Sequence, residues 1–151
     1  MERSSDDDYM QRCLALAREA AAADEVPVGA LIVRDGAVLG SGRNRSVELG
    51  TPLAHAEMEA LSAAFAAAGE GRLPGSVLYC TLEPCFMCAG AALHARVARI
   101  VFAAHDPKFG ACGSLADLPS HPGLNHRCPV DAGRGADESA ALLRAFFARL
   151  R

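Results

Sequence analysis

Lysine is almost absent from this chain: Lys108 stands alone, and every other one of the 15 basic residues is arginine. Long apolar runs are absent too. No stretch approaches the roughly 18 to 20 consecutive apolar residues that a membrane-spanning helix needs, so no segment reads as one. The first eight residues, Met1 to Asp8, are acidic and lack an apolar core, which argues against a secretory leader and for a cytoplasmic protein. Nor is there a surplus of positive charge. The net charge of -3 speaks on average against a polynucleotide partner. That average hides an asymmetry, with 7 basic and 13 acidic residues up to position 83 but 8 and 5 after it. Arginine suits phosphate forks and base stacking, although a coding bias toward arginine is the competing reading. No internal repeat and no linker divide the 151 residues, and 51% of them are hydrophobic. This reads as one domain, 1–151, long enough to bury roughly two-thirds of its unfolded surface.

Six cysteines in a chain without a leader argue for metal binding and reduced thiols over a disulfide framework. Cys13, Cys80, Cys112 and Cys128 read as small buried apolar side chains. Cys85 and Cys88 are different. Their C-x-x-C spacing is that of a zinc clasp, and on a helix starting after Pro84 the two sulfurs share a face. The helix start favours thiolates through its unpaired N–H groups and positive dipole end. His55 supplies a nitrogen ligand. Three protein ligands mark a catalytic zinc site, because a structural one closes with four. Glu57, two residues beyond the histidine, is placed to take a proton from an activated water and so reads as the general acid/base.

Ser5 or Asp6 can cap a first helix running to about Ala23. Ala30 to Val33 reads as a strand that turns at Asp35-Gly36 into a second, Val38 to Ser41, with a loop continuing to Pro52. A helix beginning near Leu53 or Ala54 places His55 and Glu57 in its first turn. Val77 to Leu82 reads as a strand delivering the cysteines to a helix of about Cys85 to Ala95, and Ile100 to Ala103 as the next strand. A strand, helix and strand in this order pair in parallel, with the site at the strand C-terminal ends. Residues 105–127 are rich in Gly, Pro, Asp and His and read as a binding loop. A short strand, Cys128 to Ala132, and a helix from Asp137 complete the chain. In that helix Leu142, Leu143, Phe146 and Phe147 form an apolar stripe.

The pair of motifs, H-x-E at 55–57 and P-C-x-x-C at 84–88, is a recognised signature of zinc-dependent nucleobase deaminases. Further stretches extend the likeness over nearly the whole chain: Glu25 to Ala30, Asn44-Arg45, Thr81 to Ala91, Asp106-Pro107-Lys108, Gly113 to Leu115, His121 to Arg127, and Phe146-Phe147. In these the sequence resembles the bacterial tRNA-specific adenosine deaminases, the TadA family. The resemblance implies a cytidine-deaminase-like fold of the α/β class, a three-layer α/β/α sandwich around a five-stranded mixed sheet. It implies a homodimer, and hydrolysis of the wobble adenosine of a tRNA anticodon to inosine. Residue by residue it implies zinc on His55, Cys85 and Cys88, proton transfer by Glu57, and contact of Asn44 with the flipped base. Asp106 and Lys108 would meet the anticodon arm, with Arg127 beside them, and Phe147 would help shape the base pocket.

The bland readings stand beside these: Asn44 as a turn or cap, Asp106 as the start of a plain Asp-Pro turn, and the paired phenylalanines as core. The sequence departs from the family at His105, Phe109, Cys112 and Ala145, all near surfaces that the family turns toward RNA. A free nucleobase or nucleoside such as guanine, cytosine or adenosine is therefore the alternative substrate. A zinc-stabilised binding module without catalysis is a third reading. It needs a fourth protein ligand, for which Cys80 and His94 are the candidates.

Overall fold

The computed structural model describes residues 5–150. Met1 to Ser4, part of the acidic segment noted above, and Arg151 lie outside the described residues. Helix α1, Asp6–Ala22, begins where the sequence places it, with Ser5 and Asp8 forming a reciprocal capping box. Strands β1, Gly29–Arg34, and β2, Ala37–Arg43, form an antiparallel hairpin. Its two-residue turn has Asp35 and Gly36 both at positive φ, 53° and 76°, the geometry that makes Asp-Gly a hairpin signal.

The second strand runs two residues further than the sequence reading, to Arg43, through Gly40 and Gly42. The reason lies in the layer above. A Cβ on Gly40 would stand 2.2 Å from the Ala60 carbonyl oxygen, and one on Gly42 would stand 2.5 Å from that of Ala56. These glycines let helix α3, Ala56–Ala68, lie directly on the strand, instead of ending it. The stretch read as loop before Pro52 contains one more turn of helix, α2, Ser46–Leu49.

Strand β3, Val77–Leu82, helix α4, Phe86–His94, and strand β4, Arg99–Ala104, form the expected parallel unit, and β5, Val130–Ala132, adds to it in parallel. The sheet order is β2-β1-β3-β4-β5, with β1 antiparallel to both neighbours. Helix α5, Ala136–Arg149, closes the fold. Alternation along the strands separates two cores. Leu31, Val33, Tyr79 and Val101 pack against Tyr9, Met10 and Leu14 of α1. Ala30, Ile32, Leu78, Ile100 and Phe102 face Ala60, Leu61, Ala92 and Leu93 of α3 and α4 on the other side. Alanine dominates the α3 and α4 faces, which brings both helices, and hence both of their N-termini, close to the sheet. This is the three-layer α/β/α arrangement with a five-stranded mixed sheet.

The last helix corrects one expectation. Phe146 is buried, with its ring edge-on to Phe147 and the Arg149 guanidinium 5.5 Å over it, but Phe147 is 46% exposed. The stripe is thus narrower than its four apolar positions suggest, with Leu142 partly buried against the first core. No helix among the described residues is long and apolar enough to cross a membrane.

Candidate active site

His55 and Cys85 each occupy the N-cap position of a helix, α3 and α4, with extended backbone at φ -71°, ψ 152° and φ -73°, ψ 177°. Helix α3 starts two or three residues later than the sequence implies and α4 one residue later, so the two ligands sit just before the first turns. Neither side chain caps its own helix. Each is free to turn toward the other. Cys88, in the first turn of α4, is fully buried. The Nδ1 of His55 lies 3.6 Å from the Cys85 sulfur and 3.5 Å from the Cys88 sulfur, and all three ligand atoms lie within 4.8 Å of one another.

These separations test the metal. A sulfur at about 2.3 Å and a nitrogen at about 2.0 to 2.1 Å from one tetrahedral ion stand roughly 3.5 Å apart. The spacing of this cluster therefore fits zinc without rearrangement. Neither Cys80 nor His94 joins it, and it is the single such cluster among the described residues. Cys80 is buried in the sheet core, its sulfur 3.9 Å from the Val101 carbonyl oxygen. Zinc on His55, Cys85 and Cys88 leaves a fourth position open, the mark of a catalytic centre.

The cluster is already organised electrically. The Cys88 thiol donates to Cys85, and with help from His55 this pulls the Cys85 pKa down to about 4. The neighbouring Cys85 thiolate, together with burial, pushes Cys88 up. His55 is raised, first by its hydrogen bond to Cys85.

Glu57 follows in the first turn of α3, 4% exposed. Burial pushes its pKa up to about 7, which leaves a carboxyl able to take and return a proton near neutral pH. It opens, together with His55 and Cys85, onto a cleft of about 430 Å³. That volume suits one nucleobase with part of its sugar.

Asn44 and Asp106 also line this cleft. The Ser46 hydroxyl donates to Asn44 Oδ1 at 2.8 Å and so orients the amide. The Asp106 carboxylate accepts from the backbone N–H groups of Lys108 and Phe109 at 3.0 and 3.3 Å, so the turn that an Asp-Pro start suggests is formed as well. Lys108 and Arg127 are exposed on the loops, outside the lining of the cleft, and no salt bridge among the described residues engages either. Arg43 and Arg45 do have partners: both reach Glu48, at 3.0 and 2.6 Å, and Arg45 also reaches Glu59. Phe147 lies on the exposed face of α5 and does not line the cleft, whereas Phe86 and Phe109 do.

Two buried carboxylates escaped the sequence reading. Glu25 accepts from the backbone N–H groups of Val47 and Glu48 and so holds the start of α2 beside Asn44. Glu83, 1% exposed, holds the opposite loop. Burial alone would raise its pKa, but hydrogen bonds from Ser114, Asp106 and Cys112 outweigh that and keep it below the ordinary carboxylate value. The signal was present in the sequence as a lone charge at the end of an apolar strand, directly before Pro84.

Comparison with known proteins agrees with this geometry. Residues 3–104 match the cytidine and deoxycytidylate deaminase zinc-binding region. The chain is 45% identical to a tRNA-specific adenosine deaminase of Agrobacterium fabrum, over 95% of this chain and 94% of that one. A solved structure from studies of A-to-I editing by tRNA:A34 deaminases superposes with a TM-score of 0.86 at 44% identity, covering 89% of this chain and 98% of its own. A guanine deaminase from Nitrosomonas europaea superposes at 0.81 with 29% identity, over 98% and 87%. With His55, Cys85 and Cys88 arranged to hold a metal ion beside a buried glutamate at two helix N-termini, the chain belongs to the cytidine and deoxycytidylate deaminase family of zinc-dependent hydrolytic deaminases.

Proposed function

We propose that the protein hydrolyses the wobble adenosine of a tRNA anticodon to inosine. The observation that carries this reading is the full-length likeness, at 45% identity, to a tRNA-specific adenosine deaminase. The guanine deaminase at 29% identity keeps a free purine as the second reading.

The chain's own residues account for the chemistry. Bound zinc supplies the Lewis acidity that brings the pKa of water to about 7. Glu57, raised to about 7 by burial, takes one proton from the attacking water and delivers it to the purine ring nitrogen. It then takes the remaining hydroxyl proton of the adduct and delivers it to the amine, which leaves as ammonia as its bond to the ring carbon breaks and the carbonyl forms. One carboxyl serves both transfers because it is buried beside the cleft and holds the proton away from solvent. Asn44 orients the flipped base by hydrogen bonding, and Asp106, Lys108 and Arg127 meet the nucleotides around it. Phe147, away from the cleft, acts on substrate only where the RNA or a partner subunit reaches α5.

A stacked anticodon base must be flipped out at a cost of a few kcal/mol, which contacts to flanking nucleotides offset. Exposed apolar side chains around the cleft, Val47, Leu53, Phe86 and Phe109, suit a homodimer in which a second copy covers this side. Light scattering giving a monomer at micromolar concentration contradicts that. A tRNA substrate supports a cytoplasmic location, in keeping with the six unpaired cysteines. The substrate reading is tested by comparing deamination of an anticodon stem-loop with that of free adenosine, guanine and cytosine.

A further inference from the structure

The cleft wall facing α3 is built from the loop after β4, and that loop hangs on one side chain. Glu83 Oε1 accepts from the Asp106 N–H at 3.0 Å and from His105 Nδ1 at 3.2 Å, and it also bonds the Ser114 hydroxyl. Its Oε2 accepts from the N–H groups of Cys112 and Ser114, each at 3.0 Å. Three backbone donors spread over nine residues thus converge on one buried carboxylate. Such a group is an unusual choice for mere packing, since an isolated buried charge is costly unless fully paired.

The arrangement is specific in a second way. A Cβ on Gly110 would stand 2.3 Å from the Glu83 carboxyl carbon, so the loop passes this close to Glu83 because residue 110 has no side chain. The same strand end is tied to the metal ligands. The Ala111 N–H donates to the Pro84 carbonyl at 2.9 Å, and Gly110 bridges to Cys85. Segment 83–85 therefore holds a zinc ligand with one residue and the cleft wall with another.

We propose that Glu83 is a positioning residue for substrate, one that fixes Asp106 and Phe109 relative to the metal ligands and so governs how tightly the flanking nucleotides are gripped. The path is short. Glu83 fixes the Asp106 backbone, and the Asp106 carboxylate fixes the N–H groups of Lys108 and Phe109. Glu83 makes no part of the proton path, which belongs to Glu57. This inference rests on the nucleotide reading of the cleft given above.

Glu83→Gln tests it. An amide is nearly isosteric but turns a donor NH2 toward backbone donors, so at least one loop N–H loses its acceptor. The expected result is full zinc, kcat on the stem-loop within about threefold of the parent, and KM raised about tenfold, the effect of losing one buried hydrogen bond to a charged group. Hydrogen exchange at the amides of Asp106, Cys112 and Ser114 should accelerate by about tenfold or more, and this readout requires no substrate. If the parent enzyme ignores the stem-loop but turns over a free base, the tRNA reading fails, while the exchange data and KM for that base still decide the role of Glu83. Unchanged exchange, an unchanged KM with a fallen kcat, or loss of zinc overturns the proposal. Should Glu83→Gln fail to fold, Ser114→Ala removes the hydroxyl bond alone. It should raise KM severalfold at constant kcat, and a parental KM in that variant also overturns the proposal.

Discussion

Removal of the metal should unfasten the two helix starts that carry the chemistry. His55 and Cys85 are N-caps without a capping hydrogen bond of their own, and their side chains meet across the gap between α3 and α4. Zinc binds the folded cluster and not the unfolded chain with comparable affinity, so it stabilises by mass action. At free zinc about a hundredfold above Kd this amounts to about 2.7 kcal/mol. For a chain of this size each kcal/mol moves Tm by about 2 to 4 °C, so stripping the metal from the parent protein should lower Tm by about 5 to 11 °C. Cys88→Ala removes a fully buried sulfur, which costs about 1 kcal/mol in lost burial on top of the metal. Its melting should therefore fall slightly below that of the stripped parent, and adding zinc should not move it. Calorimetry with and without chelator, combined with elemental analysis, reads both effects. Full zinc occupancy in Cys88→Ala, or a Tm in the parent that ignores chelation, would refute the assignment.

Glu57→Gln should keep its zinc and its Tm while turnover falls by at least about a hundredfold, the low end for a positioned acid/base; metal loss or near-parental rates would remove Glu57 from the proton path. Lys108→Ala should flatten the salt dependence of stem-loop binding by about 0.7 in log-log slope, one phosphate contact on a single strand, whereas Arg45→Ala should change it less because Arg45 already pairs with Glu48. Asp6 receives hydrogen bonds from Arg99 and from the Tyr79 hydroxyl, and Arg99 foremost holds its pKa below the ordinary 3.8. A depressed carboxylate stabilises the fold above its unfolded pKa and loses that contribution as pH falls through the folded value. Asp6→Asn should therefore cost up to about 1 kcal/mol in denaturant melts at pH 7, a difference that begins to shrink only as pH approaches 3.8 and closes once pH lies below the depressed folded value.

Spacing made the metal cluster legible, because C-x-x-C beside a helix start and a histidine thirty residues earlier leave few other arrangements. Asp35-Gly36 announced its hairpin through backbone sterics, and the strand-helix-strand order fixed the parallel pairing of β3 and β4. What escaped depended on neighbours distant in sequence. Gly40 and Gly42 look like the end of a strand until α3 is laid over them, since only that contact explains their missing side chains. Phe147 looks like core until the helix is docked and its stripe proves one residue narrower. Nothing in the sequence marks Glu59 as a partner of Arg45, fourteen residues before it, yet the two pair. Glu25 and Glu83 read as ordinary acids because their partners are backbone N–H groups, and every residue type carries those.

The cleft and its metal site are read as acting on an adenine presented by an anticodon loop. The most direct measurement of this is inosine formation at the wobble position of an anticodon stem-loop, run beside free adenosine, guanine and cytosine at equal concentration and across a salt series. Conversion of the stem-loop should weaken steeply with salt and be severely reduced by Asn44→Ala, with little turnover of the free compounds. Efficient, salt-insensitive deamination of a free purine or of cytosine, with none on the stem-loop, would contradict the tRNA reading and leave the zinc site and Glu57 in place.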